Sequence, residues 1–512
     1  MMGIKERAFG PLPPVSLEDL VPPDHFYRHL ERLLDLSFVR GLVGTTYAAT
    51  GRPSIDPLVF FKLQLILFFE GLRSERQLLR VVADRLSLRW YLGYDLGEPL
   101  PDHSSLTRIR ERYGLDVFRR FFEAIVEQCI AAGLVWGQEL YVDSTDVEAN
   151  AAHGSLQPRF AVEAHLARLF AAAGADEQPV PSADAPELGE EAGTPVPLPV
   201  GLTAAAQVDL AAVAADRHDW IGEAGRPDRS QTSGPYRRVA DFWASTTDPD
   251  ASPLRPTGGG ADLGYHDHYV VDGGKARVVL TVLVTPAEVQ DNQPALDLLW
   301  RARFRWKLHP RQVTGDSKYG TTENVVAIEH QRIRAYVPLP EAGRRPGLFA
   351  DTDFSYDVAA DAYRCPGGET LRFLSRCGTT WRRVYEAPAA CATCALKARC
   401  TTSQRGRRVG RSFDEDCLDR VRGYHPTEPY AKAMRKRKVW VEPLFAEAKA
   451  WHGMRRFRLR GLAKVNGEAL LVAAGQNLKR LLSRWGWGRR PWPSGAAGLV
   501  LPAPAPAPTG LG

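Results

Sequence analysis

The sequence predicts a mixed α/β core carrying an N-terminal all-helical domain and a small cysteine-containing insertion. Three observations predict it. Apolar residues recur at helical spacing through residues 1 to 135. From Glu139 to Pro338 short β-branched runs alternate with helical stretches, the pattern of an α/β sheet. Five of the seven cysteines fall between Cys365 and Cys400.

In the helical domain (1–135), Asp56-Pro57 is a helix start, an N-cap followed by proline at the first helical position. Ser74-Glu75-Arg76-Gln77 reads as a capping box that opens a helix toward Leu88, with Gly71 as the break before it. A third unit opens at Asp102-His103-Ser104-Ser105, and Leu115 to Ala132 forms a long amphipathic helix. The arginines Arg73, Arg76, Arg80, Arg108 and Arg110 suit a nucleic-acid-recognition module; a packing or dimerisation domain accounts for them almost equally well.

The core opens in residues 136–154 with the strand Glu139-Leu140-Tyr141-Val142-Asp143, which ends in a carboxylate. An Ala/Pro-rich stretch, 155–235, reads as a flexible insertion around two helical patches, Phe160 to Phe170 and Val208 to Ile221. The core resumes over 255–340. Strands His268 to Val271 and Ala276 to Thr285 flank the hairpin signal Asp272-Gly273-Gly274. A helix from Asn292 to Phe304, a strand Gln312 to Asp316, a helix Thr322 to Gln331 and a strand Ile333 to Pro338 follow. Residues 341–430 hold the cysteine cluster, 431–488 complete the core with a helical block from about 439 to 484, and 489–512 form a disordered Pro-Ala-Gly tail.

No run reaches the roughly 18 apolar residues of a membrane span. The richest, Leu58 to Phe69, is broken by Lys62 and Gln64 and reads as a buried helix. The first ten residues lack a secretory apolar region, and seven cysteines in 512 residues are too few for a disulfide framework, so a cytoplasmic, nucleoid-associated location is expected. The net charge of +6 is unevenly spread. From Lys432 to Arg490 stand 16 Lys/Arg against the acids Glu442, Glu447 and Glu468, a local +13, which leaves −7 for all other residues. That concentration, interleaved with Trp440, Trp451, Phe457, Trp485 and Trp487, is the footprint of a polyanion and points to nucleic acid, with a solvated basic face as the plain alternative.

Phosphoryl transfer on DNA asks little covalent chemistry of a protein. It asks for two divalent ions about 4 Å apart, held by carboxylates on rigid elements. Asp143 and Asp316 fit strand ends and Glu442 fits a helix, so these three are the candidate catalytic and magnesium (or manganese) ligands. Glu447 is the rival to Glu442. Asp146, Glu148 and His153 are set aside, Asp146 being placed in a turn, and Asp291-Asn292 is read as a helix N-cap. Cys365, Cys391, Cys394 and Cys400 supply four thiolates in a spacing compatible with structural zinc, with Cys377 a further candidate; reduced thiols are the plain alternative.

Three blocks carry a resemblance: Tyr141-Val142-Asp143-Ser144-Thr145; Thr314-Gly315-Asp316-Ser317-Lys318-Tyr319-Gly320; and Arg437-Lys438-Val439-Trp440-Val441-Glu442-Pro443-Leu444-Phe445. They resemble the catalytic blocks of insertion-sequence DDE transposases, most closely the group numbered eleven eighty-two. Asp102 to Arg110 and Phe457 to Leu462 match as well. The resemblance implies an RNase H-like core, double-stranded DNA as partner (terminal inverted repeats and target), metal-dependent cleavage at element ends, strand transfer, and a homodimer that brings two ends together. Related transposases carry a Tyr-Arg-Glu-Lys signature. Lys438, Glu442 and Lys449 keep its last two spacings, with Lys in place of Arg, and Arg435 stands at the Tyr position. Lys438, Lys449, Arg455, Arg456, Arg458 and Arg460 are the expected DNA contacts. A catalytically silent DNA-binding descendant and a related magnesium-dependent nuclease are the alternatives.

Overall fold

The computed structural model describes residues 15–47, 54–158, 243–254, 262–339, 347–377 and 382–486. The stretch expected to be a flexible insertion, beyond residue 158, and the expected disordered tail lie outside them.

Seven helices build the N-terminal domain: α1 (Leu17–Leu20), α2 (Phe26–Leu33), α3 (Phe38–Val43), α4 (Pro57–Phe69), α5 (Glu75–Asp84), α6 (Leu86–Leu92) and α7 (His103–Ala131). Asp56 caps α4 by accepting from the Leu58 N–H, with Pro57 in the first turn. Every residue from Phe60 to Phe68 is buried, so α4 is the central helix, apolar on all sides. Even Lys62 is buried; its ammonium pairs with Glu31 at 2.7 Å and donates to the Tyr91 carbonyl. Ser74 caps α5 through the Gln77 N–H. The two units expected around 102 and 115 form one long element broken at Gly114, whose φ of 64° a β-carbon would strain.

The core sheet contains β1 (Glu139–Glu148), β4 (Ser252–Leu254), β5 (Asp262–Asp272), β6 (Val279–Pro286), β7 (Gln312–Thr314) and β8 (Arg334–Tyr336). A short pair, β2 (Leu156–Pro158) and β3 (Trp243–Ser245), lies apart from it. The order is β6–β5–β1–β7–β8, with β4 beside the start of β5. β5 runs antiparallel to β1 and β6, while β1, β7 and β8 are parallel. Helices α8 (Ala295–Arg305) and α9 (Thr322–His330) join the later strands.

Three expectations need correction. β1 does not end at Asp143 but runs on to Glu148, because β5 starts at Asp262 and supplies a partner as far as Glu148↔Gly264. Asp146 is therefore a strand residue and not a turn residue. Asp291 caps nothing: α8 begins three residues later than expected, with Pro294 at its N-cap.

After β8 a second, antiparallel sheet follows chain order: β9 (Ser355–Asp357), β10 (Ala362–Arg364), β11 (Thr370–Cys377), β12 (Arg382–Glu386) and β13 (Arg408–Ser412). Two short helices, α10 (Pro388–Ala392) and α11 (Lys397–Cys400), stand between β12 and β13. Its own small core is Phe354, Tyr363, Leu371, Tyr385 and Val409. The chain then returns to the main core with α12 (Glu415–Tyr424), where Arg420 and the Tyr424 hydroxyl meet Glu329 on α9. Helices α13 (Glu428–Trp440), α14 (Glu442–Trp451) and α15 (Leu462–Arg484) complete it.

The outer edge of β6 faces α15 instead of another strand. Asn466 accepts from the Val284 N–H and donates to the Val284 carbonyl. Asn477 does the same at Val279. Eleven helical residues rise about 16 Å and five strand residues about 17 Å, so the two carboxamides meet the edge in register. Asn477→Ala leaves a buried N–H and a buried carbonyl unpaired and is expected to cost about 2–4 kcal/mol. Urea unfolding at 25 °C measures it; a cost below about 0.5 kcal/mol would mean that the edge does not depend on this contact.

Candidate active site

Asp143 lies in β1 two residues past the last pairing with β7, Tyr141↔Thr314, and opposite Tyr269 of β5. Directly opposed residues share a sheet face. That face is covered by α14, whose Phe445 packs on Tyr269 with ring centroids 4.6 Å apart. Phe445 is the fourth residue of α14, so this contact brings Glu442, the first, to the Asp143 side of the sheet.

The preceding helix is seated by Lys436. Its ammonium donates to Glu139 at 2.5 Å and to the Gly273 carbonyl at 2.6 Å, among the rings of Trp136, Tyr141 and Trp440. Trp440 donates its indole N–H to the Gly274 carbonyl. With α13 fixed there, the next side chain, Arg437, reaches into the site. Its Nη1 donates to Asp143 Oδ2 at 2.6 Å, and its Nη2 lies 3.5 Å from Glu442 Oε1. Asp143 is 7% exposed. Burial pushes its carboxyl up to about 6; Arg437 and the Ser144 N–H oppose this, while the charges of Asp316 and Glu442 add to it. Asp316 itself caps the turn Ser317–Tyr319 by accepting from the Lys318 N–H at 2.9 Å.

The charges of Asp316 and Glu442 thus both reach Asp143, and a cation spans Asp143 and Glu442. Arg437 was not singled out in the sequence, because the signature spacing points to its neighbour Lys438. Lys438 is exposed and lies on α13, before the break at Val441 that precedes Pro443. Lys449 is half-buried. Burial lowers its ammonium pKa, and the charges of Asp146 and Asp267 work against that. Asp267, two residues from Tyr269, is fully buried, which drives its carboxyl well above the carboxylate range.

Glu447 is engaged elsewhere. It accepts from Lys479 and, at 3.2 Å, from Arg480, with His452 Nε2 3.7 Å away. Burial works to raise its carboxyl, but His452, Arg480 and Lys479 more than offset it and hold it well below the usual range.

The remaining basic candidates divide. Arg455 is exposed. Arg456 pairs with Glu148 at 2.9 Å, Arg458 with Glu75 at 3.1 Å, and Arg460 donates to the Asn150 carbonyl. Arg73 donates to the Gly453 and Arg456 carbonyls, and buried Arg110 pairs with Glu75. Arg76, Arg80 and Arg108 are exposed.

Around the second sheet, a β-carbon placed on Gly367 would lie 3.6 Å from Cys365 Sγ and 3.7 Å from Cys394 Sγ. Burial raises the Cys400 thiol, and Cys391, Cys365 and Cys394 add to that shift. Among the described residues, no group of three or more His, Cys, Asp or Glu side chains is placed so that it could hold a metal ion as it stands, the three acids and the four cysteines included.

Acids gathered where a parallel ladder ends, beside a basic helical segment, are what an enzyme of phosphoryl transfer on nucleic acid presents. Comparison with known families makes this specific. A family model described as Transposase domain (DUF772) matches residues 15–112, the N-terminal helices. A second, Transposase DDE domain, matches residues 364–482, which include Glu442 but neither Asp143 nor Asp316. No curated protein and no solved structure matches the chain. Together the two matched domains indicate a DNA transposase of the DDE, insertion-sequence type. Among the described residues no helix is long and apolar enough to cross a membrane.

The Glu447 contacts predict a stability effect separate from chemistry. A depressed folded pKa means stability that is present above the unfolded value of about 4.5 and lost as pH falls through the folded value. Glu447→Gln is expected to lower stability at pH 7 by about 2–4 kcal/mol and to flatten its decline below pH 4.5. Thermal melting from pH 3 to 7 tests this, and an unchanged acid limb would contradict it.

Proposed function

We propose that Asp143, Asp316 and Glu442 are the catalytic acids of this transposase and that together they hold two divalent ions, Mg²⁺ or Mn²⁺. The carrying observation is the position of Asp143: buried, raised to about 6 partly by the charges of the other two acids, and spanned to Glu442 by Arg437. Carboxylate oxygens are the donors such hard ions take, and repulsion among three adjacent acids favours a cation between them. Bound there, the ions would activate the attacking oxygen and stabilise the leaving one.

The chain's own residues do the rest. Lys436 and Trp440 fix α13, so that Arg437 keeps Asp143 and Glu442 side by side. Exposed Lys438 and Arg455, with Lys449, offer cations to DNA phosphates near the acids, and Arg76, Arg80 and Arg108 offer them on the helical domain. Arg456, Arg458 and Arg460 would serve DNA only by leaving their present partners. The sheet order, a hairpin beside β1 and two parallel strands on its other side, supports an RNase H-like core, and the sequence blocks around the three acids are what favour the eleven-eighty-two group. In this reading the β9–β13 sheet is an insertion between the last core strand and the Glu442 helix. Two ends must meet for strand transfer, so a homodimer is part of it.

Asp143→Asn, Asp316→Asn and Glu442→Gln are each expected to slow end cleavage at least about a thousandfold, ~4 kcal/mol of barrier. Gel-shift affinity for terminal-repeat DNA should stay within about threefold. Cleavage surviving Asp316→Asn with Mg²⁺ would sink the assignment, whereas a wild-type chain that binds ends and never cuts them would favour a silent descendant.

Cys365, Cys391, Cys394 and Cys400 are read as a structural zinc site in the second sheet, on the electrostatic proximity of the four thiols. The purified chain should then carry about one equivalent of zinc, lost in Cys394→Ser. Metal-free protein that melts at the same temperature with and without chelator would remove this reading.

A further inference from the structure

The ladder that aligns the first two acids stops short of both. β1 and β7 pair from Glu139↔Gln312 to Tyr141↔Thr314, so Asp143 and Asp316 each lie two residues beyond the last pair. From there β1 keeps β5 as its strand neighbour, and the β7 segment turns into the short helix Ser317–Tyr319.

One side chain ties the two segments together past that point. Asp291, between β6 and α8, is 5% exposed. Its Oδ1 accepts from the Ser144 hydroxyl at 2.6 Å and its Oδ2 from the Lys318 ammonium at 2.5 Å. Each of these donors also holds a catalytic acid: the Ser144 N–H donates to Asp143 Oδ1 at 3.0 Å, and the Lys318 N–H to Asp316 Oδ1 at 2.9 Å. A second stitch runs parallel to the first, since the Asn324 carboxamide donates to the Asn292 and Tyr319 carbonyls. Consecutive strand residues point to opposite faces. Ser144, opposite His268, therefore puts Asp291 behind the sheet, away from the face that carries Asp143, Tyr269 and α14.

We propose that Asp291 is a positioning residue that sets the separation of Asp143 and Asp316, and through it the affinity of the site for divalent metal. The proposal rests on the reading of those two acids as metal ligands. Asp291 stands behind the ligands and not among them, because it bonds Ser144 on the face of β1 opposite to the one that carries Asp143. Groups that orient metal ligands from behind typically change metal affinity about 10- to 100-fold when removed.

The test uses the full chain with Asp291→Asn, which keeps the shape and an acceptor for Ser144 but presents Lys318 with no charge. Mn²⁺ binding by calorimetry is expected to weaken about 10- to 100-fold. The Mg²⁺ concentration for half-maximal end cleavage should rise in step, with the rate at saturating Mg²⁺ and the gel-shift affinity each within about threefold of wild type. Lys318→Met, a change at a more exposed position, should reproduce part of the effect, and it decides the question if Asp291→Asn does not fold. Ser144→Ala should add less in the Asp291→Asn background than alone. Unchanged Mn²⁺ affinity, whatever the melting temperature does, would overturn the proposal. So would a cleavage defect that saturating metal does not restore. Asp143→Asn separates the two levels: if it loses Mn²⁺ while Asp291→Asn does not, only the positioning role falls; if it binds Mn²⁺ like wild type, the ligand reading falls and takes this proposal with it.

Discussion

The arrangement depends on how one open sheet edge is closed. Among the described residues no further strand takes the outward backbone N–H and carbonyl groups of β6, and such an edge invites pairing with another chain. Asn466 and Asn477 answer both groups at Val284 and Val279, so α15 stands where a strand would. The same helix then carries the rest. A β-carbon on Gly475 would lie 2.5 Å from the Phe68 ring of α4, and Gly467 touches Phe118 of α7, so the helical domain rests directly on its backbone. Gln476 donates to the Leu444 carbonyl, while Lys479 and Arg480 hold Glu447. Through these contacts α15 fixes α14, and α14 carries Glu442.

A second constraint is electrostatic. A carboxylate as buried as Asp143 costs free energy unless a cation compensates it, and two further acids nearby raise that cost. Arg437 meets the demand because Lys436, one residue earlier, is locked among three aromatic rings and two acceptors. Charge is spent similarly between Gly453 and Gly461. Phe457 and Glu148 bond backbone to backbone, and Arg456 and Arg458 pair with Glu148 and Glu75, which join β1, the helical domain and the C-terminal segment. A basic run is thus partly a clasp, and a count of its charges overstates what is left for DNA.

The helix starts at Asp56, Ser74 and Asp102 were legible because capping is local: the side chain that ends the helix lies within three residues of the N–H it satisfies. The hairpin between β5 and β6 was legible for the same reason. The end of β1 was not, because its last five residues are strand only by virtue of β5, more than a hundred residues away. Asp291 was misread because an acid before a helix looks like a cap, and nothing in its own neighbourhood names Ser144 or Lys318. That Glu447 is taken up by Lys479 and Arg480 of α15 was equally hidden, because those partners lie more than thirty residues on.

The sequence by itself determined the alternation of elements, the helix caps and the concentration of positive charge, because periodicity, caps and composition are written in neighbouring residues. Tertiary structure alone decided which cation meets Asp143, which arginines are already paired and which donors Asp291 takes up. Each of those is a contact between segments far apart in the chain, and a side chain's partner across such a gap is fixed by packing and register, which no local pattern encodes.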